Sequence, residues 1–243
     1  MADKAKSHKW QMVVDADRCS GCQACVIACQ AENNIPINSE SHFTQQRVQQ
    51  WIRIERYWDG EFPNVKARFL PVLCQQCDNA PCEPVCPVFA TYHNDEGLNV
   101  QVYNRCVGTR FCQANCPYYA RVYNYWEPEW PETLRNQLNP DVTVRSRGLM
   151  EKCTFCVQRI RRVEVDAKRQ GQDAIPDGAV QPACVQACPT SALVFGDAND
   201  PNSKVSNLTK GQRRFRLLES LGTEPNVIYL KKVDLEAKEE AHA

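Results

Sequence analysis

The feature that most constrains this chain is a cysteine rhythm. Cys19, Cys22, Cys25 and Cys29 stand in "CSGCQACVIAC", and Cys74, Cys77, Cys82 and Cys86 in "CQQCDNAPCEPVCP". A third group, Cys106, Cys112 and Cys116, stands in "RCVGTRFCQANCP". A fourth is split between "EKCTFC" (Cys153, Cys156) and "ACVQACP" (Cys184, Cys188). Two residues between ligands let a tight loop curl round an inorganic core. The run C-x2-C-x2-C-x3-C-P holds a cubane iron–sulfur cluster, its last cysteine serving a neighbouring cluster. Pro87, Pro117 and Pro189 follow the final cysteines of three groups; Gln30 departs from that pattern in the first.

Fifteen cysteines in 243 residues are an odd total, gathered in tight runs. Both facts argue against a closed disulfide framework and for soft-metal ligation. Structural zinc needs two CxxC pairs or equivalent cysteine and histidine ligands. "CTFC" alone would be ambiguous, but the near-repeated four-cysteine runs would waste ligands on zinc. His8, His42, His93 and His242 fit no ligand spacing and read as surface or packing residues.

The third group breaks the rhythm. A fourth cysteine belongs at position 109, where the chain has Thr109. The alternatives are a decayed site, a zinc loop, or a cluster with one iron fewer. A threonine hydroxyl is hard and largely protonated, so Thr109 does not read as a substitute ligand. A cubane lacking one vertex ligand leaves that iron unheld, and [3Fe–4S] is the natural product.

The text between the groups shows how they pair. "CPVFATYHNDEGLNVQVYNRCVG" runs Cys-Pro, short helix, turn at Gly97, alternating strand, next cysteine loop, the order of a two-cluster ferredoxin module. "MVVDADRCSGCQAC" and "CVQACPTSALVFGD" complement each other in the same way. The fold class expected is α+β: two nested bacterial-type ferredoxin modules with small antiparallel hairpins, short helices, irregular loops and a C-terminal extension. The outer module would take residues 10–66 and 127–200, the inserted inner module 67–126, and the extension 201–243. Exchange of fourth cysteines within each module then defines the ligand sets. Cys19, Cys22, Cys25 and Cys188 would hold one [4Fe–4S] cluster, and Cys153, Cys156, Cys184 and Cys29 a second. Cys74, Cys77, Cys82 and Cys116 would hold a third, leaving Cys106, Cys112 and Cys86 for the [3Fe–4S] cluster.

A formal net charge of zero offers no electrostatic case for nucleic acid or an anionic membrane surface. The amino terminus has no signal-peptide core, and no segment approaches the roughly 20 apolar residues that span a bilayer. "FLPVL" and "ALVF" read as buried strands. No nucleophile–base constellation, phosphate loop or nucleotide fingerprint stands out, so no catalytic site of its own is expected.

With these residues in view, the chain resembles the four-cluster iron–sulfur subunits of the molybdopterin oxidoreductase (dimethyl sulfoxide reductase) superfamily, over residues 10 to about 232. "CQQCDNAPCEPVCP", "NRCVGTRFCQANCPY", "NPDVTVRSRGLMEKCTFC" and "QACPTSALVFGDANDPNS" carry the resemblance. The three-cysteine group is most similar to the iron–sulfur portion of alternative complex III, a quinol-oxidising complex. The resemblance implies a subunit relaying single electrons between a large molybdopterin-type partner and a multi-pass quinone-binding membrane subunit, with a multi-heme cytochrome c as a further possible partner. The centre of the first group would lie toward the large partner and the [3Fe–4S] centre toward the quinone. The subunit would be peripheral, on whichever side of the membrane its partners lie. The same relay in a true molybdenum enzyme acting on polysulfide, sulfite, arsenic compounds or dimethyl sulfoxide is an alternative. A freely diffusing polyferredoxin is another; it would ordinarily carry a strong net charge to steer encounters.

Arg105 and Arg110 flank the third cysteine loop and Lys152 precedes Cys153, so each is a candidate for raising a cluster's potential or for the solvated surface. "FCVQRIRRVEVDAKRQGQ" reads as a helix ending at Gly171, with Arg159, Arg161, Arg162, Lys168 and Arg169 on a solvated face. Tyr118, Tyr119, Tyr123, Tyr125, Trp126 and Trp130 are too many for one small core; some would shield a cluster and others fill an interface. "KGQRRFRLLESLGTEPNVIYLKK" suggests a helix, a turn at Gly222 and a short strand, and the residues after it read as loose or wrapped on a partner.

Overall fold

The apolar run "WQMVVD", which feeds the first cysteine loop, forms strand β1 (Trp10–Asp15), buried along nearly all its length. The computed structural model describes residues 8–172 and 174–233. After β1 come helices α1 (Ala24–Glu32) and α2 (Glu40–Thr44), then strands β2 (Ile52–Asp59), β3 (Lys66–Leu73), β4 (Thr91–His93) and β5 (Asn99–Gln101). Next are α3 (Phe111–Ala114), β6 (Arg121–Tyr123), α4 (Glu132–Arg135), β7 (Met150–Lys152), α5 (Val157–Arg169) and α6 (Ala183–Gln186). The chain continues through β8 (Leu193–Asp197), α7 (Lys204–Thr209), β9 (Arg214–Phe215) and β10 (Val227–Leu230).

One four-stranded sheet, ordered β8-β1-β10-β9, anchors the molecule, and three two-stranded hairpins or ribbons (β2–β3, β4–β5, β6–β7) surround the cysteine loops. β1 runs antiparallel to β8, with Met12 opposite Phe195, and parallel to β10, with Val13 opposite Ile228. Met12, Val13, Val14, Val227 and Tyr229 are all 0% exposed. Each such side chain contributes roughly 1.5–3 kcal/mol by leaving water.

The α+β class with small sheets is what the loops require, but several local expectations are corrected. The segment 201–243 is no appendage in its described part, because β10 is an inner strand of the main sheet. No α-helix fills 210–221; a short strand (β9) and a 3-10 turn (Glu219–Leu221) stand there, and Leu218 at φ 50° interrupts right-handed helix geometry. No helix follows Cys86-Pro87 either, because Phe89 turns left-handed at φ 49°. A boundary between 66 and 67 cuts a continuous strand, since β3 begins at Lys66 and pairs with β2 as far as Asp59. The expectation for the final residues, 234–243, lies outside the described residues. Helix α5 ends at Arg169, and Gly171 supplies the left-handed turn beyond it at φ 67°. Among the described residues no helix is long and apolar enough to cross a membrane.

Candidate metal centres

All fifteen cysteines are free thiols. Their mutual fields gather them into four groups. Burial pushes the Cys25 thiol up to about 12, and the nearby thiols of Cys19, Cys188 and Cys22 add to the effect. Burial and then Cys153, Cys156 and Cys184 drive Cys29 far above the ordinary thiol range. Cys77 is raised by burial and by Cys74, Cys82 and Cys116. Cys112 is raised by burial first, with Cys106 and Cys86 contributing. Thiols crowded and buried in this way ionise readily only onto a cation that replaces their protons. Cys188 goes the other way: burial raises it, but hydrogen bonds from Thr190 and from the N–H groups of Ala192 and Leu193 outweigh that.

Each set lies in the field of a neighbouring one. Counting the Cys19 set first, the Cys153 set second, the Cys74 set third and the trio last, Cys184 of the second lies in the field of Cys25 of the first, and Cys153 of the second in that of Cys74 of the third. Arg121 lies in the field of both Cys112 of the trio and Cys82, Cys74 and Cys116 of the third group. Among the described residues no three His, Cys, Asp or Glu side chains converge tightly enough to clasp a single ion. A cluster would need spaces between the thiols wider than those round one zinc ion, whose thiolates would each stand about 2.3 Å from the metal. A cavity lined by Cys19, Cys22, Cys25 and Cys188, and closed by Ile54, Pro71 and Leu193, marks the first of these spaces.

The local backbone explains how each loop is aimed. In "CSGCQAC" Gly21 has φ 72° and Gln23 φ 63°, and α1 starts at the next residue. In "CVGTRFC" Gly108 has φ 70° and Arg110 φ 63°, and α3 starts at the next residue. The third loop keeps the shape of the first, with Thr109 in the place of Cys22. Both of those residues are exposed.

A second repeat escaped sequence reasoning. In Cys86-Pro87-Val88-Phe89-Ala90, Cys116-Pro117-Tyr118-Tyr119-Ala120 and Cys188-Pro189-Thr190-Ser191-Ala192, the fourth residue is left-handed, with φ 49°, 49° and 51°. That turn swings the alanine N–H onto the cysteine sulfur, at 3.2 Å for Ala90 to Cys86 and 3.3 Å for Ala192 to Cys188. Ala120 does the same for Cys116. The alanine four places after each cysteine was the available signal. Where Gln30 replaces proline, helix α1 instead runs on to Glu32. The sulfur of Cys29 is then served by the Asn33 side chain, whose Nδ2 lies 3.6 Å from Cys29 Sγ and 3.8 Å from Cys156 Sγ. Further N–H donors reach Cys106 from Met150 at 3.4 Å and Cys153 from Phe155 at 3.4 Å. Convergent N–H groups of this kind suit anionic sulfur, so the donor sets fit iron–sulfur clusters.

The residues around the loops divide. Arg105 and Arg110 are exposed, and Arg110 lies over the Tyr123 ring at 5.2 Å, whereas Lys152 is fully buried. The basic face of α5 is not merely solvated. Arg159 meets Glu32 at 2.7 Å, Arg161 meets Glu96 at 2.9 Å, and Arg162 pairs with Asp141. Tyr118 is buried, near Cys77 and Cys116, with its hydroxyl 2.5 Å from Thr223 Oγ1, while Tyr119 is exposed. His42 stacks on Trp126 at 3.7 Å, and His93 bridges Glu83 and the Cys77 carbonyl.

Residues 65–130 match the family described as a 4Fe-4S dicluster domain. Over 228 residues the chain is 46% identical to the menaquinone reductase iron–sulfur cluster-binding subunit of Nitratidesulfovibrio vulgaris, covering 92% of this chain and 89% of that protein. The chain belongs to the iron–sulfur subunits of the molybdopterin oxidoreductase superfamily. Other relatives are the Hdr-like menaquinol oxidoreductase iron–sulfur subunit 1 of Archaeoglobus fulgidus (36% identical, 93% of this chain, 84% of the relative) and the arsenate respiratory reductase iron–sulfur subunit of a Shewanella species (32%, 90% and 95%). As an iron–sulfur subunit of this superfamily it transfers electrons within a quinone-linked oxidoreductase complex and is not the catalytic subunit.

Proposed function

We propose that this subunit relays single electrons between a membrane quinol/quinone site and a large molybdopterin-type partner. It would use three [4Fe–4S] clusters and one [3Fe–4S] cluster, held by the four cysteine sets named above. The observation that supports the reading is the succession of thiol sets, each in the field of the next, from the Cys19 set to the trio. Clusters supply one-electron carriage when bound. The chain's part is to space them, wrap them in N–H donors and exclude water. Two nested modules account for the pattern. β1 and β8 pair across the length of the chain, and the β4–β5 hairpin lies between Cys86 and Cys106.

The surface around the trio suggests which end meets the membrane partner. Phe89 (73% exposed), Val107 (64%), Phe111 (57%) and Tyr119 (78%) lie within three residues of Cys86, Cys106, Cys112 and Cys116. An apolar rim of that kind fits an apolar, multi-pass quinone-binding subunit and favours a peripheral, partner-bound protein over a diffusing carrier. The menaquinone named for the Nitratidesulfovibrio relative makes menaquinone the first quinone to try.

The test is the full-length protein in its membrane complex, prepared anaerobically. About fifteen irons per chain, a matching load of acid-labile sulfide and one oxidised-state [3Fe–4S] EPR signal are expected. Reduced menaquinone should bleach that signal, and Phe89→Ser with Phe111→Ser should reduce recovery of the membrane subunit. Zinc without sulfide, or a loaded protein found only as a free monomer, would refute the proposal.

A further inference from the structure

Three basic side chains are buried in the interior, and they differ in what neutralises them. Arg145 is 2% exposed and meets Glu151 at 3.0 Å. Arg121 is also 2% exposed and Lys152 is 0% exposed. Among the described residues neither of these two has a carboxylate partner. Arg121 gives its N–H groups to Thr91 Oγ1 at 3.1 Å, Gln101 Oε1 at 2.8 Å and Asn99 Oδ1 at 2.8 Å, all neutral acceptors. Lys152 Nζ donates to the Cys153 carbonyl at 3.0 Å. Strand register puts the two directly opposite one another across β6 and β7. Like charges so placed are destabilising, and a buried charge without a counter-ion is costly.

What faces them is sulfur. The Asn99 Oδ1 that accepts from Arg121 at 2.8 Å lies 3.9 Å from Cys82 Sγ of the third set, and Arg121 is in the field of Cys74 and Cys116 of that set and of Cys112 of the trio. Lys152 lies in the field of Cys82 of the third set and Cys153 of the second. One cation therefore stands at the joint between the second and third groups, and the other at the joint between the third and the trio.

We propose that Arg121 and Lys152 are the counter-ions of the inner centres and hold their reduction potentials up. The inference rests on the cluster assignment above. A reduced cluster carries one more negative charge than its oxidised form, so a fixed cation in a low-dielectric interior favours reduction. The Cys74, Cys77, Cys82 and Cys116 centre feels both cations and is raised most. Arg121 is thus a positioning and tuning residue rather than a ligand. Its hydrogen bonds to the β4–β5 hairpin fix where its charge is held.

EPR-monitored redox titration of the full-length chain in its complex tests this, with iron and sulfide counted on each sample. Arg121→Gln should make reduction of the Cys74-set centre and of the trio centre at least tenfold less favourable, about 59 mV for one electron. Lys152→Gln should lower the Cys74-set and Cys153-set centres and leave the trio unmoved. Neither should move the Cys19-set centre, and Arg121→Lys should recover most of the loss. Normal iron with unmoved potentials, or an equal shift at all four centres, overturns the proposal. Should Arg121→Gln lose iron, Lys152→Gln decides, and unmoved potentials there overturn it. Wild-type protein lacking iron and sulfide would instead refute the cluster assignment itself.

Discussion

Replacing Thr109 by cysteine tests the reasoning at its narrowest point. The first and third loops have the same shape, with φ of 72° and 70° at Gly21 and Gly108, and 63° at both Gln23 and Arg110. In each, a helix opens at the following residue. Position 109 therefore presents its side chain as position 22 does, and Cys22 is grouped with Cys19, Cys25 and Cys188. Thr109 is exposed, so the exchange should change stability by no more than about 0.5 kcal/mol. The chemical effect is larger: a fourth thiolate gives the vacant vertex a ligand, and iron content should rise from about fifteen to about sixteen per chain.

The assay is iron and sulfide analysis beside low-temperature EPR of the oxidised protein. An oxidised [3Fe–4S] centre is paramagnetic and an oxidised [4Fe–4S] centre of this type is silent, so the wild-type signal should vanish in Thr109→Cys. Thr109→Ser, which adds no soft ligand, should keep it. An unaltered signal with unaltered iron in a folded Thr109→Cys protein would refute the assignment of Cys86, Cys106 and Cys112 to one centre. A signal already absent from loaded wild type would mean that water or another side chain completes the cube.

Three further outcomes follow from single contacts. Gly108→Ala forces a left-handed residue to carry a Cβ, at about 1–2 kcal/mol, and also drives that atom into the Gly148 carbonyl. Gly171→Ala has the same backbone penalty at φ 67° but open space, so thermal unfolding should show the larger loss at 108. Glu151→Gln removes the counter-ion of buried Arg145 and weakens acceptance from Trp51 Nε1 at 3.0 Å, and should destabilise the fold by roughly 3–5 kcal/mol in denaturant titration. Asn33→Leu removes the donor shared by Cys29 and Cys156 and should lower the potential of that centre alone, as read by redox titration.

The cysteine groups were legible because ligation is a matter of local spacing, and the loops that hold the thiols are short enough to be written in consecutive letters. The strands flanking those loops were legible in part. "ALVF" lies in β8 and "FLPVL" in β3, but nothing in "VIYL" says that it pairs parallel to a strand more than two hundred residues earlier. Such pairing depends on which apolar edge is left open once β1 and β8 have met. The buried charges were hidden for a related reason. Arg121 in "YYARVYNYW" looks like any arginine on a short strand; its burial is visible only once β4 and β5 bring Thr91, Asn99 and Gln101 to its guanidinium. Arg105 and Arg110, closer to cysteines in the chain, prove to be on the surface.

Spatial order and chain order diverge at the joint between the second and third sets. In the proposed ligand sets Cys29 and Cys188 exchange between the first and second, and Cys86 and Cys116 between the third and the trio, so each of those pairs would be tied by the chain itself. No cysteine crosses between the second and third groups. The β6–β7 pairing spans that joint, and so does Gln76, which is 1% exposed, donates to the Cys153 carbonyl at 2.8 Å and accepts from the Asn99 N–H at 3.0 Å. Asn226, just before β10, donates to the Gln76 carbonyl at 2.7 Å, so the inner strand from the carboxyl-terminal segment braces the same point. The parallel strand that sequence treated as an extension thus has a mechanical reason to be there. With the β6–β7 ladder, it braces two halves that the proposed ligand exchange would leave unlinked.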